Sequence, residues 1–118
     1  MLALNQKLEM EDKTPLIEAI ENYDIFTPHE RKVLTTLLAI SVEGVAVIDI
    51  VKLSKLSKVS RPVVYKALAA ATRHGLIEKI EHERKVLNIF KLKMNKLEEI
   101  QKHYESQKLL YNTLKIPK

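Results

Sequence analysis

Six cations, Lys52, Lys55, Lys58, Arg61, Lys66 and Arg73, stand in residues 50–73 without one carboxylate among them. Ammonium and guanidinium groups at this density attract a polyanion. A lysine neutralises a phosphate as a point charge, whereas the arginine fork also matches a planar pair of acceptors. The 118-residue chain carries a net charge of +5 from 20 basic and 15 acidic residues. That total is unevenly distributed. Residues 1–49 hold four basic and nine acidic side chains, a balance of −5, residues 50–93 reach +8, and residues 94–118 add +2. The middle of the chain is therefore its basic face.

Other chemistries find little support. With no Cys, thiol catalysis and Cys-ligated zinc are excluded. Gly44 and Gly75 are the only glycines, so no three-glycine dinucleotide fingerprint exists, and neither precedes the Lys-Ser/Thr of a phosphate loop. His29, His74, His82 and His103 have no metal-ligand spacing. No catalytic set of paired carboxylates or Ser-His-Asp can be assembled, so neither an enzyme, a metal nor a cofactor is expected. A chain that is 46% hydrophobic has enough apolar residues for one soluble globular domain, and it lacks an 18-residue apolar run that would span a membrane. The N-terminus shows no basic region followed by a long apolar stretch, which makes a cytoplasmic location the default expectation.

The elements that must position the basic run are marked by their caps. Thr14-Pro15, Thr27-Pro28 and Ser60-Arg61-Pro62 each place a hydroxyl before a proline suited to a first helical turn. Thr27-Pro28-His29-Glu30 is also a capping box, and Asn95-Lys96-Leu97-Glu98 has a related form that opens a last helix. The first helix, residues 14–24, has the stripe Leu16, Ile17, Ile20 and Tyr23. The second, residues 27–41, has Val33, Leu34, Leu37 and Leu38. Glu43-Gly44 breaks the chain before a short strand at 45–47. A helix over 49–56 then follows, with Ile50, Leu53 and Leu56 inward. The helix from Ser60 turns Val64, Leu68 and Ala71 inward and stops at Gly75. Residues 76–82 and 86–92 are rich in Ile, Leu, Val and Phe around the charged Glu83-Arg84-Lys85, the pattern of a β-hairpin.

Helix, short strand, helix, turn, helix and hairpin is the order of a winged helix-turn-helix domain, and residues 53–77 resemble that family position by position. Ser54 occupies the small-residue site where the two helices meet, Val59 plugs the turn, and Ser60 caps the recognition helix. His74-Gly75-Leu76-Ile77 looks like the exit into the wing, as in MarR-type and related bacterial or archaeal regulators. Two departures carry expectations. Lys58 stands where a turn glycine is usual, which implies a wider turn. Ala69 and Ala70 replace polar or basic residues, which leaves the second half of the recognition helix little to offer DNA.

The resemblance implies a mainly α fold with a small β-hairpin wing: an acidic N-terminal segment and helix over 1–26, a winged helix-turn-helix over 27–92, and a C-terminal helix over 95–118. It also implies binding to double-stranded DNA, with the helix at 60–74 in the major groove and the wing at 76–92 on backbone or minor groove. Arg61 is then the guanine reader, Pro62 or Val63 meets a thymine methyl, and Ser60 and Tyr65 suit phosphate or base edges. Lys55, Lys58, Lys66 and Arg73 are phosphate ligands; the wing presents Lys79, His82, Arg84 and Lys85, of which Arg84 and Lys85 are expected to carry the contact, and Glu78, Glu81 and Glu83 dilute its positive charge.

In the last helix, Leu97, Ile100, Tyr104, Gln107, Tyr111 and Leu114 recur at the 3,4 spacing of a short coiled-coil seam, flanked by Leu109 and Leu110. The seam either pairs with a twin, making a homodimer over a two-fold site, or folds back on its own core; pairing is the expectation. The function expected is transcriptional regulation. Plasmid or phage partition and replication control use the same features, and a third reading is a protein-interaction module whose basic face meets an acidic partner.

Overall fold

Local chemistry sets where the helices begin. In this computed structural model, which describes residues 12–81 and 87–115 (backbone only for 114 and 115), the first helix, α1, runs Thr14–Glu21. The sequence points to Thr14 as its cap, but Thr14 is already helical and the Asp12 carboxylate accepts its N–H at 3.0 Å. The helix ends at Glu21, short of residue 24. In α2 (Pro28–Ile40) the capping box forms as expected: Thr27 Oγ1 accepts the Glu30 N–H at 3.2 Å and Glu30 Oε1 accepts the Thr27 N–H at 3.0 Å. Strand β1 (Val45–Ile48) follows a two-residue turn in which Glu43 and Gly44 both have positive φ, 52° and 79°. That is the geometry a tight hairpin turn requires, and it lets Val42 and Val45 exchange backbone hydrogen bonds.

Helix α3 (Ile50–Ser57) is capped by Asp49, whose carboxylate accepts the Lys52 N–H at 2.6 Å. Its inward face differs from the expected one: Leu53 is fully buried and Ile50 half-buried, but Leu56 is 49% exposed. Helical rotation explains this. Residues 50, 53 and 57 share one face, so Ser57 is the residue carried inward, and its hydroxyl donates to the Leu53 carbonyl at 2.6 Å. Helix α4 (Arg61–Arg73) buries Val64, Ala67, Leu68, Ala70 and Ala71, and α2, with Val33, Leu34, Leu37 and Leu38 all buried, packs against α1, α3 and α4.

Strands β2 (Ile77–Ile80) and β3 (Asn88–Leu92) are antiparallel. β1 joins the far edge of β3, giving a three-stranded antiparallel sheet in the order β1-β3-β2. Ala46, Ile48, Ile77, Phe90 and Leu92 line its inner face and complete one core with the helices. The last helix, α5, spans Met94–Lys115, and α1 packs along it. The fold class is thus mainly helical with a small antiparallel sheet, and among the described residues no helix is long and apolar enough to cross a membrane.

Candidate nucleic-acid interface

The turn between α3 and α4 is tight, not widened as the Lys58 substitution implied. Lys58 adopts φ 62° and ψ 40°, the left-handed conformation that a glycine would take. Its N–H donates to the Lys55 carbonyl at 3.3 Å, and the Val59 N–H donates to the Ser54 carbonyl at 3.2 Å, the paired bonds of a Schellman cap. The Ser54 hydroxyl donates to the Val59 carbonyl across the same turn, while Val59 lies half-buried against the core. Ser54 therefore ties the turn as well as filling a small space. The end of α4 repeats the motif with Gly75, at φ 76°, as its left-handed residue. There the Gly75 N–H donates to Thr72 at 3.0 Å and the Leu76 N–H to Ala71 at 2.8 Å. Both ends of the pair are fixed by hydrogen bonds.

Ser60 holds the N-cap position of α4 with extended backbone, but its hydroxyl accepts no helical N–H. Pro62, at the second helical position, leaves the Val63 N–H as the one donor a serine cap could use, and that bond does not form. Arg61, Pro62, Tyr65, Lys66, Ala69, Thr72 and Arg73 make up the exposed face of α4, and Tyr65 is 58% exposed. Val63 is half-buried on the flank, and Ala70 is a core residue packed under the helix. Of the two alanines, Ala69 alone lies on the outer face.

Lys52, Lys55 and Lys58 are exposed along α3 and its turn. Among the described residues the ion pairs are Arg31–Asp24 at 3.5 Å, Lys93–Glu78 at 3.0 Å and Lys108–Glu18 at 3.0 Å, and none engages the six cations of residues 50–73. Five carboxylates of the N-terminal half have local partners: Asp12, Glu30 and Asp49 cap helices, Glu18 holds α5, and Asp24 meets Arg31.

Between the outer face of α4 and the hairpin lies an open cleft of about 1210 Å³. Arg61, Tyr65, Ala69, Thr72 and Arg73 form one wall, Lys79, Glu81 and Leu87 the other, and Asp49 and Val51 close one end. Lys79, one of the residues expected on the wing, lines this cleft, and its register opposite Phe90 places it on the helix-facing side of the sheet. Arg84 and Lys85, expected to carry the hairpin contact, lie outside the described residues, as does His82. Among the described residues no three His, Asp or Glu side chains gather where they could hold a metal ion.

The expected six-residue seam of α5 is divided by the structure. Leu97 is buried and Ile100 half-buried in the chain's own core. Tyr104 donates to Glu18 Oε2 of α1 at 2.7 Å, Lys108 donates to the same oxygen at 3.0 Å, and the Lys108 ammonium lies 5.8 Å from the centre of the Tyr104 ring. The Tyr104 hydroxyl, reinforced by the Lys108 ammonium, holds the Glu18 carboxyl below its ordinary range. The Glu18 carboxylate in turn raises both Tyr104 and Lys108. The first half of α5 is therefore folded back on α1 instead of being presented as one continuous face. Gln107, Leu109, Leu110 and Tyr111 are exposed, and the side chain of Leu114 lies outside the described residues.

Family models and curated proteins give no match to this chain. Among solved structures, the crystal structure of RV1404 from Mycobacterium tuberculosis is similar in fold, with a TM-score of 0.51 over 98% of this chain and 80% of that chain at 14% sequence identity.

Proposed function

We propose that the chain is a winged helix-turn-helix protein that binds double-stranded DNA as a homodimeric regulator of transcription, with α4 in the major groove and the β2–β3 hairpin as the wing. One observation carries the reading. None of the six cations of α3, the turn and α4 forms an ion pair among the described residues, and they border the exposed face of α4. The major groove admits an α-helix, and its flanking phosphates attract cations placed to either side. Lys55, Lys58, Lys66 and Arg73 then bind phosphates. Arg61, in the first turn of α4 and in no ion pair among the described residues, is left to read a base edge. Lys79 replaces part of the contact expected from the hairpin tip.

The pairing surface supporting the homodimer is the distal half of α5. Leu109 and Leu110 are 68% and 60% exposed, more apolar surface than a helix end needs to leave in water. A second copy covers them while the Glu18–Tyr104–Lys108 contact fixes the helix to its own domain.

Salt titration of binding to a duplex of mixed sequence tests the reading. Four phosphate ligands per protomer, eight per dimer, give a log–log slope of about −7, at roughly −0.9 per phosphate. Failure to bind duplex even at low salt rejects the proposal and points to an acidic protein partner.

A further inference from the structure

We propose that the outer face of α4 recognises the thymine 5-methyl group, so that the preferred duplex is distinguished by methyl contacts beside a guanine; this rests on the duplex-binding reading above. At about 100° per residue, Pro62, Tyr65 and Ala69 fall within roughly 60° of one another on the helix surface. All three are exposed. Arg61 and Thr72 border this strip on one side and Lys66 and Arg73 on the other, so an apolar strip runs between two polar edges. Direct reading of adenine is the work of an Asn or Gln amide, and reading of the cytosine amino group that of a carboxylate. Residues 61–73 contain none of these four residue types. Among the bases, thymine alone offers an apolar group in the major groove, its 5-methyl.

Ala69 makes that contact close. Its side chain is one methyl group, exposed at the middle of the helix while its neighbours Leu68 and Ala70 are buried. Pro62 and Ala69 are separated by about 10 Å along the axis at 1.5 Å per residue, the length of about three base-pair steps. The strip thus spans a short run of thymines, with Arg61 at its N-terminal end placed for the fork of a guanine.

The test compares duplexes that differ only in that methyl. A random 30-base-pair pool is selected on the full-length protein, and the winning duplex is remade with deoxyuridine in place of thymidine. Burying one methyl is worth about fourfold in affinity, so loss of two gives about a tenfold or greater drop. In Ala69→Gly the thymidine-to-deoxyuridine ratio falls toward one, and because both duplexes are measured on the same variant, any loss of helix stability cancels. Should Ala69→Gly fail to fold, Ala69→Ser, which keeps the helix and sets a hydroxyl against the methyl, is expected to shrink the ratio likewise. A ratio within twofold on the parent protein, with salt-dependent duplex binding intact, overturns the methyl proposal and leaves duplex binding standing. A large ratio unaffected by substitution at Ala69 also overturns it. Failure of both duplexes to bind at low salt overturns it together with the reading beneath it.

Discussion

Replacing Lys58 with glycine separates what this residue does for the fold from what it does for binding. Its backbone sits at φ 62° and ψ 40°, where an L side chain crowds the following carbonyl at a cost of about 1–2 kcal/mol. Glycine removes that cost but brings about 0.5–1 kcal/mol of extra unfolded-chain entropy. Lys58→Gly is therefore expected to stabilise the protein by about 0.5–1 kcal/mol, a rise in Tm of roughly 2–5 °C for a domain of this size. Binding moves the other way. One fewer phosphate ligand lowers the salt slope by about 0.9 per protomer, and at 0.15 M salt each such contact contributes about fivefold relative to 1 M. Lys58→Ala is the control, since it removes the charge and retains the left-handed backbone: it should lose the same affinity with no gain in stability.

Thermal unfolding and fluorescence anisotropy across a salt series read the two effects independently. If the glycine variant is no more stable than the alanine one, the strain argument fails. If both variants keep the parent salt slope, Lys58 does not meet a phosphate and the turn's conformation has no bearing on binding. Stability up with affinity down is the pattern expected of a strained residue retained at a working surface.

The other predictions address different parts of the molecule. Arg61→Ala should flatten discrimination among sequences, whereas Lys66→Ala should weaken all duplexes alike and lower the salt slope; equal effects from both in competition binding would refute the division of roles. Docking of α5 on α1 has a pH window with signs fixed by the Glu18 cluster. Because the Glu18 carboxyl is lowered, its contribution is present above about pH 4 and lost as pH falls further, and because Tyr104 and Lys108 are raised, theirs is present below about pH 10 and lost above it. Hydrogen exchange of α5 amides should therefore be slowest near neutrality relative to the intrinsic rate, and Tyr104→Phe should narrow that protection at both ends. Leu53→Ala, at a fully buried position, should cost about 2–5 kcal/mol in denaturant unfolding without altering the salt slope of the folded fraction.

Much of the architecture was legible because caps and apolar periods are local. The Thr27 capping box, the four buried residues of α2 and the stop at Gly75 follow from residues within a few positions of each other. What escaped the sequence depends on competition between neighbours. Thr14 is not the cap because the helix starts one position earlier, with Lys13 at the N-cap and the Asp12 carboxylate accepting the Thr14 N–H; Ser60 caps by backbone position alone; and Leu56 loses its burial because Ser57 falls on the inward face. Lys79 was legible as a wing residue, but the side of the sheet it occupies was not, since a shift of one residue in the pairing of β2 with β3 would turn it to the other face. The six cations were visible at once, but whether acidic residues neutralised them was a question about space. Among the described residues none of the six forms an ion pair, and Asp12, Glu18, Asp24, Glu30 and Asp49 have local partners instead.

The 3,4 spacing of α5 shows most clearly why a one-dimensional pattern underdetermines its partner. Leu97, Ile100 and Tyr104 satisfy the period equally well against α1 or against a twin, and the intramolecular choice wins where Glu18 offers one carboxylate to both Tyr104 and Lys108. Past Lys108 every described side chain through 113 is exposed, including Leu109 and Leu110. If a second copy covers that end, Leu109→Lys with Leu110→Glu should convert the dimer to a monomer in light scattering with the Tm of the isolated domain little changed. Affinity for a two-fold site should fall far more than affinity for half of one, because linkage between two half-sites is lost while each α4 keeps its own contacts. A double variant that remains dimeric places the interface elsewhere. A parent protein that is monomeric at binding concentrations removes the homodimer from the proposal but leaves the α4 surface as it stands.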